Sequence, residues 1–293
     1  MFNATRFKTL MLREWLQNRW TWLIAAGSLP ALVLLITPFG EVQLPKELPV
    51  TLVALGVLCA TALVAALIAW VTTLFTASGL ARRDVQDRSI EFWLSLPSQH
   101  GEHVGAQYLM HGFVFPVGAL FLGLAAGVVL MPLLLLKWQG FSVLGAVDWA
   151  WVLARLLPLV ALSVLALAAV ALWLAPVVFT IMAASAWVKR LALPLLIVVG
   201  ALLANLPQTA VHVRAFVGQW AELAGTPLDG VVRVFATLAV PQAEMNGSDL
   251  VPMQPMAFMT ELARDLATPQ FAVGLLLTAV SIYLLIVKRR SNG

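Results

Sequence analysis

Charge is what this sequence has least of. Only 11% of its 293 residues are charged, whereas a water-soluble domain carries about 25% to keep its surface wetted. That shortage excludes an ordinary soluble enzyme or binding module. Cysteine is nearly missing as well: Cys59 stands alone in an apolar run, so neither a disulfide within the chain nor a cysteine metal site can form. No Gly-x-x-x-x-Gly-Lys-Ser/Thr phosphate loop occurs, so the chain does not hydrolyse ATP by the usual P-loop route. The formal charge of +4 is scattered rather than gathered on one basic face, so no nucleic-acid partner is indicated.

What the sequence has instead is long apolar runs, with 61% hydrophobic residues and a mean hydropathy of +0.92. A hydrocarbon core about 30 Å thick takes about 20 helical residues to cross. Six runs are candidate spans: 20–36, 52–80, 109–136, 151–187, 191–206 and 271–287. Arg6, Lys8, Arg13 and Arg19 ahead of the first imitate a secretory signal, but 20–36 is longer than an apolar signal core of about 7–15 residues, so it is expected to be retained. The fourth run, as one helix, would be about 55 Å long at about 1.5 Å per residue, and Pro158 and Pro176 interrupt it. Split in two, it would give seven spans.

Basic residues favour six. With the N-terminus inside, the cytoplasmic segments hold Arg82, Arg83, Arg88, Lys189, Arg190 and Lys288-Arg289-Arg290 besides the basic N-terminus, whereas seven spans would strand the last five outside. The expected fold class is all-α: a polytopic membrane protein of about six transmembrane helices, residues 1–293 forming a single transmembrane domain with both termini cytoplasmic. Gly118, Ala119, Gly123 and Gly127 place small residues on the third span, where a neighbouring backbone can approach, in the same chain or across a dimer.

Three segments lie between or before the spans. Residues 1–19 read as an amphipathic interfacial helix, with Phe7, Leu10, Met11 and Trp15 at helical spacing and Arg6, Lys8, Arg13 and Asn18 off that face. The cytoplasmic loop 81–107 holds a short amphipathic helix from Ser89 to Leu96, with Ile90, Trp93 and Leu94 on one side and Pro97 ending it. Its apolar face must be covered by the protein's own helix ends or by a separate subunit. Residues 207–270 form an outer helical segment of three amphipathic runs, suited to capping the outer mouth or lying on the membrane.

Metal chemistry is sparse. His100 and His103 are a close pair, read as a solvated polar turn because zinc needs three or four ligands. Met253, Met256 and Met259 recur every third residue, which is ordinary apolar filling or, as a minor reading, a Cu(I) site. The spans are nearly free of acid, which argues against proton or sodium coupling.

The stretch Arg82-Arg83-Asp84, then Asp87-Arg88-Ser89-Ile90-Glu91-Phe92-Trp93-Leu94-Ser95-Leu96-Pro97, following a long second span, resembles the permease family of type 2 ABC exporters. Arg13-Glu14-Trp15, Ala175-Pro176 and Ser185-Ala186-Trp187-Val188-Lys189-Arg190 are similar to further parts of such permeases, so the resemblance runs along the whole chain. Two departures are the missing glycine before Ser89 and Gln107, which stands where the family often has lysine. The resemblance implies that Ser89, Ile90, Glu91, Phe92, Trp93, Leu94, Leu96 and Pro97 form a coupling helix gripped by an ABC ATPase (nucleotide-binding) subunit. It further implies two ATPase copies, a second permease subunit forming a homodimer, ATP bound only by the partner, and a bacterial inner (plasma) membrane. The chain itself is then no enzyme and carries no cofactor or metal. The rival readings are an ion-coupled secondary transporter and a non-transporting membrane anchor or assembly subunit.

Overall fold

A computed structural model describes residues 4–41, 48–81, 100–188, 191–239 and 253–291, and among these residues every regular element is a helix. The elements are α1 (Ala4–Ile36), α2 (Val50–Leu80), α3 (His100–Leu109), a π-turn (Met110–Val114), α4 (Phe115–Gln139), α5 (Trp149–Val188), α6 (Ala192–Asn205), α7 (Ala210–Ala239), α8 (Pro255–Leu266) and α9 (Pro269–Ser291). Five helical stretches are long and apolar enough to cross a membrane: α1, α2, the run Gly101–Gln139, α5 and α9. The chain is therefore built as a polytopic membrane protein.

One boundary differs from the sequence reading, and one long span is kept whole as that reading has it. First, α1 runs without a break from the expected interfacial segment into the first span, and its 33 residues measure about 50 Å. No glycine or proline occurs from Ala4 to Ala26, so nothing in the chain stops the helix near Arg19. Second, the fourth run is one helix of 40 residues that passes through both Pro158 and Pro176. Proline survives inside such a helix because packed neighbours re-satisfy the backbone groups it frees. The Asp148 carboxylate accepts the Trp151 N–H at 3.0 Å and starts α5, and Gly140 at φ +85° ends α4. The expected fifth run, 191–206, is the 14-residue α6, about 21 Å long and too short to cross a full core alone.

The helices align in register. Gly127 of α4 meets Leu58 and Thr61 of α2, and Gly123 meets Thr61, Ala62 and Ala65, so these two run antiparallel. A Cβ on Gly123 would lie 2.4 Å from the Thr61 carbonyl oxygen, a backbone atom that cannot step aside. The small residues of the third span thus serve packing within the chain. Val53 and Leu58 join Val152 and Leu159 in one apolar cluster, Trp70 joins Leu167 and Val170 in a second, and Ala77 joins Val178 in a third, so α2 and α5 run parallel. At the far end α9 follows α5, with Gly274 beside Pro176 and a 3.2 Å hydrogen bond between the Thr180 and Ser281 hydroxyls.

The segment 207–270 also departs from the sequence reading. Its first two amphipathic runs are one helix, α7, which packs antiparallel along α5: Trp220 meets Trp173 edge-on at 5.1 Å, and Val231 and Val234 join the cluster of Leu159 and Leu162. α8 folds back on α7, Thr226 donating to Asp265 at 2.6 Å and Arg233 pairing with Glu261 at 2.7 Å and Asp229 at 2.9 Å. Met253 is buried in the core while Met256 is 78% exposed, so the methionine repeat points to two sides and gathers no thioether cluster. The residues of the proposed coupling helix, 89–97, lie outside the described residues.

Candidate functional site

Where α1 meets α3 and the π-turn, a polar cluster is buried inside an otherwise apolar bundle. On α1 the buried stripe is Leu10, Glu14, Asn18, Trp22, Ala26 and Pro30, a strict i, i+4 series on one face. Two of its members are polar, and both are almost fully enclosed: Glu14 is 2% exposed and Asn18 6%. Facing them are His103, Gln107 and His111, again four residues apart and again buried. Two polar ladders therefore meet at the end of the bundle next to which α2 stops and α3 starts.

The contacts are specific. Asn18 Nδ2 donates to the Glu14 backbone carbonyl at 2.9 Å and to Glu14 Oε2 at 3.3 Å. His111 Nε2 lies 3.6 Å from the same carboxylate oxygen, close enough for an ion pair once the imidazole is protonated. Arg13 Nη1 lies 2.8 Å from His103 Nε2, which as the acceptor must lack a proton, leaving His103 neutral and protonated on Nδ1. Glu102 and Gln107 are also buried, and among the described residues neither Gln107 amide atom has a hydrogen-bond partner.

The π-turn follows from Pro116. The Phe115 N–H bonds the Met110 carbonyl, one residue further back than in an α-helix. In that register the His111 carbonyl would await the N–H of residue 116, which proline lacks. The Thr73 hydroxyl of α2 fills the place, donating to the His111 carbonyl at 2.8 Å. On the other side Trp22 Nε1 donates to the Phe115 carbonyl at 2.9 Å, its ring stacking on Phe115 at 5.5 Å. His111 sits edge-on to the same Phe115 ring at 4.9 Å. So α1, α2 and α4 are joined at one irregular turn through side-chain hydrogen bonds, and π-turns of this kind are frequent at functional sites.

Chemically the cluster sets the Glu14 carboxylate within ion-pair reach of the His111 ring, at 3.6 Å, while Asn18 donates to the same carboxylate. Among the described residues no group of three or more His, Cys, Asp or Glu side chains is arranged to hold a metal ion. Local hydropathy conceals this site, because residues 1–19 read as an interfacial helix and His103 as part of a solvated turn. His103 is in fact buried, and Asn18 is on the buried face. The signal available in the sequence was the spacing itself: Glu14-x-x-x-Asn18 and His103-x-x-x-Gln107-x-x-x-His111.

The comparisons with known proteins supply no relative. No family model matches the chain, and no curated protein or solved structure matches it either.

Proposed function

We propose that this chain is the membrane-spanning permease subunit of an ATP-driven ABC exporter, which forms the translocation path and takes mechanical work from a separate ATPase subunit. The observation that carries the reading is the segment 81–107. It joins two long apolar helices, bears the Ile90-Glu91-Phe92-Trp93-Leu94 run and its Pro97 stop, and belongs to a chain without a phosphate loop. Aromatic side chains of this kind anchor a partner in a pocket. In this reading the protein has six spans, α6 serving as a short fifth, with both termini in the bacterial cytoplasm. Two permeases work with two ATPases in the inner membrane. ATP-driven closure pushes on Phe92 and Trp93, and the neighbouring polar cluster is where α1, α2 and α4 yield. Binding energy shifts the bundle between inward- and outward-open states.

A second reading, the ion-coupled transporter, is favoured by one specific observation: a carboxylate and an imidazole buried together within apolar helices, which is the usual mark of a proton or ion path. One experiment separates the two. The tagged chain is purified in mild detergent, assayed for ATP hydrolysis, and reconstituted in proteoliposomes. The permease reading expects an associated ATPase that Trp93→Ala releases or uncouples. Gradient-driven transport by the chain alone, indifferent to Trp93→Ala, would establish the second reading instead.

A further inference from the structure

A cavity of about 210 Å³ opens between α2, α4, α5 and α7, beside the first halves of α2 and α5 and the last turns of α7. Its floor is fully buried, made by Ala62, Leu120, Leu159 and Val231, and its mouth lies at Ala60 and the 42%-exposed Val232. The polar lining is slight: the Cys59 thiol and Ser163, whose hydroxyl already donates to the Leu159 carbonyl at 2.7 Å. A buried water needs two to four polar partners, so this cavity does not hold ordered water. Apolar cavities of about 150 Å³ stay dry and take up benzene-sized guests, and this one is larger. Left empty, its walls would forfeit dispersion contacts on one side. Gly56 contributes to the opening, since a Cβ there would meet no atom within 4 Å.

We propose that this cavity is a binding site for an unbranched alkyl chain, entering laterally between α2 and α7. Four helices contact such a chain, whereas a lipid on the outer surface touches one or two. Cargo and bilayer lipid share this chemistry, and the site holds whether or not the chain works with an ATPase. Val231, Val232 and Phe235 of α7 close one wall, which gives that helix a role beyond covering α5.

The test reconstitutes the full chain with a phosphatidylcholine carrying a diazirine midway along one acyl chain, and in a parallel arm with a free fatty acid bearing the same group. After illumination, adducts are mapped by peptide mass spectrometry. The proposal expects adducts at Cys59–Leu63 and Val160–Ser163 above those at the exposed Phe75 and Phe121, and their loss in Gly56→Leu with the surface adducts kept. Ala60→Phe, which blocks the mouth from an exposed position, must give the same loss and guards against misfolding of the first variant. Labelling in both arms identifies a bilayer lipid as occupant; labelling by the fatty acid alone identifies a mobile amphiphile. Adducts that follow exposure alone, or that survive both substitutions, would overturn the proposal.

Discussion

The two ends of the α1–α2–α4 bundle are held together by different means. Toward the end nearer Thr61, α4 presses glycine against the α2 backbone, and the fit around Gly123 and Gly127 involves almost no polar atom beyond Thr61. Toward the other end, around the π-turn, the same helices are joined by the Thr73 hydroxyl and the Trp22 indole, each donating to a backbone carbonyl, and by the approach of His111 to Glu14 at 3.6 Å. Close packing has one geometry and resists displacement, because interiors are dense and bistable rather than compliant. Hydrogen bonds made by side chains can be exchanged one for another. The glycine seam is therefore the part expected to stay fixed, and the polar end the part expected to rearrange.

Substitutions can break this contrast. The largest effect is expected at the seam: Gly123→Leu drives a side chain into the Thr61 carbonyl and should remove about 3 kcal/mol or more, seen as loss of the folded peak in detergent size exclusion. Next comes Glu14→Leu, which deprives Asn18 of a buried acceptor and takes the carboxylate from beside His111, and should lower stability by about 2 kcal/mol; Glu14→Gln should recover most of that in a thermal melt. Thr73→Val leaves the His111 carbonyl without its donor and should lower stability by about 1 kcal/mol, in line with single hydrogen bonds between membrane helices. Smallest is Arg233→Gln on α7, whose partly exposed ion pairs to Asp229 and Glu261 contribute about 0.5 kcal/mol, with the melt becoming less sensitive to added salt. A polar end more sensitive than the seam would reverse the assignment of fixed and rearranging parts.

Much of the architecture could be read from residues alone, because apolar run length and helical rise leave little choice. The spans at 52–80, 109–136 and 151–187 coincide closely with α2, the π-turn plus α4, and α5, and the glycines of the third span sit against a backbone as their size requires. The continuity of α1 was harder to see. Its charged N-terminal third looks interfacial when hydropathy is averaged over a turn, and the average conceals Glu14 and Asn18 falling on the same face as Leu10 and Trp22. α7 was misleading for a related reason: Arg214, Glu222, Asp229 and Arg233 lower its hydropathy, yet its other face packs along α5. The π-turn needed the missing N–H of Pro116 and the hydroxyl of Thr73 together, two residues 43 positions apart that only the tertiary fold brings into contact.

Coupling as proposed requires residue 93 to lie on the side from which ATP acts. A Trp93→Cys substitution in a Cys59→Ala background makes that residue the sole thiol, because the natural chain has no other cysteine. A membrane-impermeant maleimide should label it in inverted vesicles and not in intact cells, and a non-hydrolysable ATP analogue should slow the labelling as the partner closes over it. Labelling from the outside, or labelling from the inside at a rate indifferent to nucleotide, would contradict the coupling proposed here.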